Sequence, residues 1–413
     1  MKSATPGSPP AAATIRPVLA HPLNHVFEFT PESLAAWCQA RGMAPFRARQ
    51  ILDWVYERGV ADPALMTNLS KRDRDLLASE MVFLSGPTVA HQSASDGTQK
   101  LLIQWTDFSP SRPAGPHLPA PATEPGLALP IADAAPDPAR QTECVMIPAE
   151  DRRTACISSQ VGCPVGCRFC ASGLGGLDAN LSAGRIVEQV WRLARLPDVG
   201  RISNIVFMGM GEPLANLACV TQAIRTINAL WGLGISARKI TISTVGLPQA
   251  IERLADTLDL PVTLALSLHA PTDEIRRSLI PWAEYTTITD LLAACQKWFD
   301  KTGREITLEY TLLHRVNDRP EHAELLAKLA KSLRANVNLI RYNEVSGLPF
   351  ARPVDHDVLA FQHILRDRGV NVHIRASRGR DIAAACGQLR HEKQASPGSP
   401  ATPPPAAPVA PAA

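Results

Sequence analysis

From residue 143 onward the sequence alternates between two kinds of stretch, and few architectures accept that pattern. Short apolar runs (SNIVFMG, KITIS, VTLALSL, EITLEYTLL, NVNLIRY, VNVHIR) are separated by longer amphipathic ones such as AGRIVEQVWRLARL, ACVTQAIRTINALW and RPEHAELLAKLAKSLRA. Continuously apolar strands are buried on both faces, and helices crossing over between them keep them parallel. The chain holds about six such units and no glycine-rich dinucleotide fingerprint. The expected fold is therefore α/β, a partial (β/α)6 barrel over 143–390, with its chemistry at the C-terminal ends of the strands.

The rest of the 413 residues divides by composition. Residues 1–20 and 394–413 are rich in Pro, Ala and Ser and carry too little apolar surface to offset the entropy of ordering, so both are expected to be disordered tails. Residues 25–85 read as a small helical domain. Thr30 caps a helix that starts at Pro31 and stops at Gly42, a second ends at Gly59, and Ser70 caps a third. Residues 86–142 read as a hairpin linker whose tip carries a proline-rich insertion, 107–141. No apolar run is long enough to span a membrane, and the N-terminus lacks the apolar stretch of a secretory signal, so a cytoplasmic protein is expected. The net charge of +3 does not by itself announce nucleic acid.

Nine cysteines in a long chain do not suit a disulfide scaffold. Three of them, Cys163, Cys167 and Cys170 in CPVGCRFC, lie in an irregular loop between the strand-like ACISS and a helix beginning near Ser182. Thiolates at this density suit zinc or an iron–sulfur centre. A structural zinc site would need a fourth ligand, Cys156 or Cys386, and usually a second C-x2-C pair, which is missing here. Three ligands and one open position instead mark a site built for chemistry.

Further polar residues fall at predicted strand ends. Gly211 and Glu212 lie in MGMGEP, a turn through which a ligand can approach the backbone closely. Ser243, the triplet Ser267, Leu268 and His269, and Asn343 follow on later strands, placed either to bind a nucleoside or to cap a barrel rim. Arg366, Arg368, Arg375, Arg378 and Arg380 surround the last strand and are expected to hold phosphates. FRARQ and SKRDRD in the N-terminal domain are mixed in charge.

The C-x3-C-x2-C spacing, with Phe169 before the third cysteine and a barrel pattern around it, resembles the signature of the radical S-adenosylmethionine (SAM) enzymes. That resemblance implies a [4Fe–4S] cluster on Cys163, Cys167 and Cys170. It also implies SAM bound by the open iron, by Gly211 and Glu212, and by the strand-end residues Ser243, Ser267, Leu268, His269 and Asn343.

CISSQVGC around Cys156 and RGRDIAAACGQL around Cys386 narrow the likeness to the RlmN/Cfr family of RNA adenine methyltransferases, on its RlmN side. The likeness runs from about residue 25 to 390 outside the insertion. It implies two SAM per turnover. One methylates Cys386, and the other yields a radical that takes hydrogen from that S-methyl group. The resulting methylene adds to carbon 2 of an adenine in 23S rRNA, or in the tRNA residue after the anticodon. Glu143, with Glu150 and Asp151 as nearby alternatives, would take the ring proton. Cys156 would release the product by forming a disulfide with Cys386. A flavodoxin or ferredoxin as electron donor and a monomer are also implied. The rival expectations are a carbon-8 methyltransferase of the Cfr type, and a metal-stabilised RNA-binding protein without catalysis.

Overall fold

The structure is a computed structural model that describes residues 19–108 and 136–389. The C-terminal tail, most of the N-terminal one and most of the expected insertion lie outside the described residues. Leu19, expected in the disordered tail, is instead buried in the core, because its side chain packs with the N-terminal unit's apolar residues.

The N-terminal unit is helical. In α1 (Pro31–Ala40), the Thr30 hydroxyl accepts from the Ser33 N–H and the Ser33 hydroxyl accepts from the Thr30 N–H, so both ends of a capping box are closed. α2 (Arg47–Leu52) runs on into a π-helical turn, Asp53–Glu57. Ser70 caps α3 (Lys71–Glu80) by accepting from the Asp73 N–H. Two antiparallel strands follow, β1 (Thr88–Ser93) and β2 (Gln99–Thr106). β2 pairs with β3 (Pro136–Pro148), so the segment between them sits at a hairpin connection. Residues 136–141, expected to belong to the insertion, are instead part of β3. Backbone pairing from Thr106 to Pro136 extends the ladder into a stretch whose prolines argued against a strand.

β3 turns back into β4 (Arg153–Cys156), and from there the sheet is parallel. The chain makes a small hairpin, β5 (Gln160–Gly162) with β6 (Leu177–Asn180), then enters α4 (Ala183–Leu193), capped by Ser182 as the sequence predicted. The repeat proceeds through β7 (Asn204–Phe207), α5 (Leu217–Asn228), β8 (Ile240–Thr244), α6 (Pro248–Thr257) and β9 (Thr263–Ser267). It continues with α7 (Asp273–Leu279), α8 (Ile288–Thr302), β10 (Ile306–Leu312), α9 (Pro320–Ser332), β11 (Asn336–Arg341), α10 (Asp355–Asp367) and β12 (Val372–Arg375).

Among the described residues the main sheet runs β1-β2-β3-β4-β7-β8-β9-β10-β11-β12, and β4 with β7 to β12 forms its parallel part. That part holds one strand more than the six units read from the sequence, because β4, which precedes them, pairs in parallel with β7. The array curls. β7 and β12 are not neighbours in the sheet, yet Arg375 at the end of β12 reaches Met208 Sδ, just past β7, at 3.0 Å. The strand ends therefore face one another across a cleft, as in part of a barrel.

The N-terminal unit is bolted to α4. Phe27 packs on Tyr56 and Trp191, and the Trp191 indole donates to Val55 O at 2.8 Å. Beneath them Glu188, fully buried, pairs with His25 (3.1 Å) and Arg192 (2.6 Å) and accepts from the Ser85 hydroxyl. Burial alone would raise this carboxyl, but Arg192 and His25 overcome it and hold Glu188 down at about 2.

Candidate active site

The C-terminal ends of β7 to β12 and the cysteine loop enclose a cleft of about 150 Å3. Cys163, Cys167 and Cys170 form one wall. Behind them lies an apolar shell that includes Val165, Phe169, Leu279 and Tyr342. Burial pushes the Cys163 thiol up to about 12 and raises Cys167 and Cys170 as well, Cys167 further because its two sister sulfurs are close. Three thiols this protonated become thiolates when a metal centre supplies the opposing charge.

The spacing of the sulfurs distinguishes between metal centres. One tetrahedral zinc, at its usual bond length, holds thiolates about 3.8 Å apart. Among the described residues the group whose donor atoms all fall within 4.8 Å of one another is His314, Asp318 and Asp357, and the three cysteines are not such a group. Their sulfurs are thus not drawn together as a single zinc would hold them.

Opposite the cysteines stand the strand-end residues. Gly211 has φ 105°, and a Cβ there would lie 2.7 Å from the side chains of Ser159 and Gln160, so this turn requires glycine. Glu212 is buried, its carboxylate accepting from the N–H groups of Leu214 and Val245, both at 3.0 Å. Burial raises its carboxyl, and no cationic side chain offsets that rise. An ammonium group in the cleft would be the missing counter-charge. The Ser243 and Ser267 hydroxyls sit side by side, 3.0 Å apart, at the ends of β8 and β9.

His269 takes a left-handed φ of 57°, and its Nδ1 accepts from the Thr311 N–H at 3.1 Å. Burial, then Arg276, pushes it down to about 3, so the ring is neutral and its proton is on Nε2. Gly211, Glu212, Ser243, Ser267 and His269 all line the cleft. Leu268 does not. Its side chain is fully buried in the core, and only its backbone takes part, with the carbonyl accepting from Arg276 Nε.

A smaller cleft adjoins the first. Cys156, Asn343, Ala384 and Leu389 line it, and Cys386 lines both. The segment carrying Cys386 is clamped to the cysteine loop, with the Ala171 N–H donating to Gly387 O and the Ser172 hydroxyl to Leu389 O, each at 2.8 Å. Asn343 Nδ2 donates to Cys386 O at 3.2 Å, so this asparagine faces the small cleft and the Cys386 backbone. Cys156 is buried in an apolar cluster with Val145, Met210 and Leu389, and burial pushes its thiol up to about 12, with Cys386 adding to the rise. Both thiols are free.

Glu143 is not among the residues lining either cleft. It lies on β3, two residues before Val145, the register partner of Cys156. Its carboxylate pairs with Lys100 at 2.7 Å, and Lys100 also donates to Ala383 O in the Cys386 segment. Glu150 and Asp151 are exposed in the turn between β3 and β4.

The arginines around the last strand separate. Arg366 and Arg368 end α10, at the end of the sheet away from the cleft, where Arg368 pairs with Glu324 at 2.7 Å. Arg378 and Arg380 are exposed beside the mouth. Arg375 does not face outward to a phosphate: it lines both clefts, 3.5 Å from Glu309. Its proton is held more tightly than usual because of Cys386 above all, against the effect of burial, with Glu309 and Cys156 contributing. FRARQ and SKRDRD largely satisfy themselves, through Arg47 with Asp73, Arg49 with Asp53, and Lys71 with Asp75. Glu309 and Arg375 are thus members of the site that the sequence reading did not single out for it. Glu309 left one signal, an acidic residue inside the apolar strand EITLEYTLL.

A curled parallel sheet with three thiols and a cleft at its strand ends is the arrangement of a radical SAM enzyme. Residues 157–327 match the model of the radical SAM superfamily, and residues 24–82 that of the ribosomal RNA large subunit methyltransferase N-terminal domain. A crystal structure of a radical SAM methyltransferase from Sphaerobacter thermophilus superposes with TM-score 0.79 at 39% identity, covering 89% of this chain and all of that one. The chain is 40% identical to a probable dual-specificity RNA methyltransferase RlmN of Rhodopirellula baltica, over 90% of this chain and 91% of that protein. It is 41% identical to the dual-specificity RNA methyltransferase RlmN of Syntrophus aciditrophicus, over 88% and 96%. The chain belongs to the RlmN family of radical SAM RNA methyltransferases.

Proposed function

We propose that this protein methylates carbon 2 of an adenosine in 23S rRNA and of the adenosine following the tRNA anticodon, through a methyl group first carried on Cys386. The observation that carries this reading is the position of Cys386, in the wall between the cleft of the cysteine loop and the small cleft of Cys156. The double RNA target rests on the relatives described as dual-specificity enzymes.

Cys163, Cys167 and Cys170 would hold a [4Fe–4S] cluster, and Gly211, Glu212, Ser243, Ser267 and His269 would hold SAM against it. When bound, the pair supplies a methyl group and one-electron chemistry, which an electron-poor ring carbon requires because it lacks nucleophilicity of its own. The chain does the rest. Glu212 holds the amino group of SAM, and the two serines orient its ribose. The apolar shell behind the cysteines excludes water. Cys386 carries the methyl carbon to the base, fixed in place by the Ala171, Ser172 and Asn343 hydrogen bonds. Glu143, held by its ion pair with Lys100, takes the ring proton. Cys156 attacks the Cys386 sulfur and frees the product.

The test is mass spectrometry of the peptide containing Cys386 after the reconstituted protein has turned over with methyl-labelled SAM. Label on Cys386 is expected. An unlabelled Cys386 in protein that methylates RNA would refute the carrier role.

A further inference from the structure

Arg375, the last residue of β12, shares a property with Cys386: it lines both clefts, with Met208 and Ile340 completing the shared wall. Its Nη1 lies 3.5 Å from Glu309 Oε2 on the side of the large cleft and 3.0 Å from Met208 Sδ. Glu309 is itself anchored, accepting from Asn338 Nδ2 at 2.9 Å. The guanidinium is thus held at one end by a fixed carboxylate while both sulfurs lie within its field.

Around Cys156 the other elements offer no comparable charge. β3 brings Val145 and the thiol of Cys144, β7 brings Val206 and the Met208 N–H, and the C-terminal segment brings Ala384, Leu389 and Cys386. Arg378 also lines the small cleft, but it is exposed at the rim, 4.0 Å from Asp96.

We infer that Arg375 is a positioning residue for the thiol pair, holding the Cys156 sulfur as a thiolate aimed at Cys386 while the methylated base is released. The inference rests on the proposed function. In the step it serves, the Cys156 thiolate forms an S–S bond to the Cys386 sulfur. The bond from that sulfur to the methylene carbon on adenine breaks. The electron pair of the broken bond goes to the carbon, which takes a proton and becomes the methyl group. An external dithiol then reduces the disulfide for the next turnover. Only the thiolate makes this attack, and in the resting pair burial and Cys386 together outweigh Arg375 and keep Cys156 protonated near neutral pH. In the crosslink Cys386 is an uncharged thioether, so burial then opposes the guanidinium without it. An opposite charge at close range is worth about 1–3 pKa units. Because a thiol of higher pKa is also the better nucleophile, losing that charge slows attack by only about three- to thirtyfold.

The experiment compares reconstituted wild-type holoenzyme with Arg375→Met and Arg375→Lys, matched for iron content, in single turnover with an rRNA fragment across neutral to alkaline pH. Crosslinked RNA and released methyladenosine are followed in time. In parallel, iodoacetamide labelling of Cys156 is titrated against pH without RNA and read by peptide mass spectrometry. The methionine variant is expected to accumulate crosslink and release product more slowly, with the deficit closing as pH rises. Its Cys156 labelling midpoint should move to higher pH, and the lysine variant should recover most of both. A labelling midpoint and release profile unchanged in Arg375→Met would overturn the inference. So would a release deficit equal at every pH that lysine does not relieve, because that is a purely structural effect. Wild-type protein that forms neither crosslink nor methyladenosine would instead overturn the proposed function, and this inference with it.

Discussion

At the scale of single residues, the two thiols outside the cysteine loop are expected to fail differently when removed. Cys386→Ala should abolish RNA methylation while the protein keeps its iron. Cys156→Ala should stall with RNA covalently attached, visible as a slow band on a denaturing gel. Equal and silent loss in both variants would contradict the division of labour drawn from their places in the two clefts. Gly211→Ala is expected to lose SAM binding, read by equilibrium dialysis. A side chain there meets Ser159 and Gln160 at 2.7 Å in a left-handed backbone, a strain of about 1–3 kcal/mol. The three loop cysteines, Cys156 and Cys386 could be singled out in the sequence because their signals are local: a spacing, or a distinctive short stretch. Arg375 could not. In sequence it is one arginine among five near the last strand, and only the curl that brings β12 across to Met208 separates it from Arg366 and Arg368.

At the scale of elements, α4 matters beyond its place in the barrel, because its Glu188 ties the N-terminal unit to the sheet. Removing one member of such a buried network leaves the others uncompensated, at about 3–5 kcal/mol. Glu188→Ala should therefore lower the unfolding free energy by that order, as measured by chemical denaturation. The sign of the pH dependence follows from the depressed carboxyl. Its contribution is complete above the ordinary glutamate value, near 4.5, and fades as pH falls through about 2. Wild type and variant should thus converge in stability in strong acid. A gap that persists there would mean that Glu188 acts through packing and not charge. The helix starts at Thr30, Ser70 and Ser182 were readable because a cap and its partner are three residues apart. The network of Glu188 with His25 and Ser85 was not, since its members are far apart in sequence and meet only when the two units dock.

At the scale of the whole molecule, the cleft's position at one end of the sheet decides where RNA approaches. Arg378 and Arg380, exposed at the mouth, are expected to contact phosphates. Replacing either with alanine should weaken RNA binding and reduce the slope of affinity against salt by about one. Arg368→Ala, at the far end and already paired with Glu324, should leave RNA affinity unchanged. Equal effects from all three would contradict this orientation. Removing residues 394–413, a stretch rich in Pro, Ala and Ser, is expected to leave RNA methylation intact. The alternation of strands and helices made this architecture readable, since each repeat is contiguous in the chain. The parallel pairing of β4 with β7 and the start of β3 at Pro136 were not, because pairing across the sheet decides both.

The most direct test of the central claim is nucleoside mass spectrometry with authentic standards, on 23S rRNA and tRNA digested separately from a host that lacks its own such enzyme and expresses this protein. The account predicts 2-methyladenosine in both RNAs. 8-Methyladenosine, or no gain of methyladenosine from protein with an intact cluster, would contradict it.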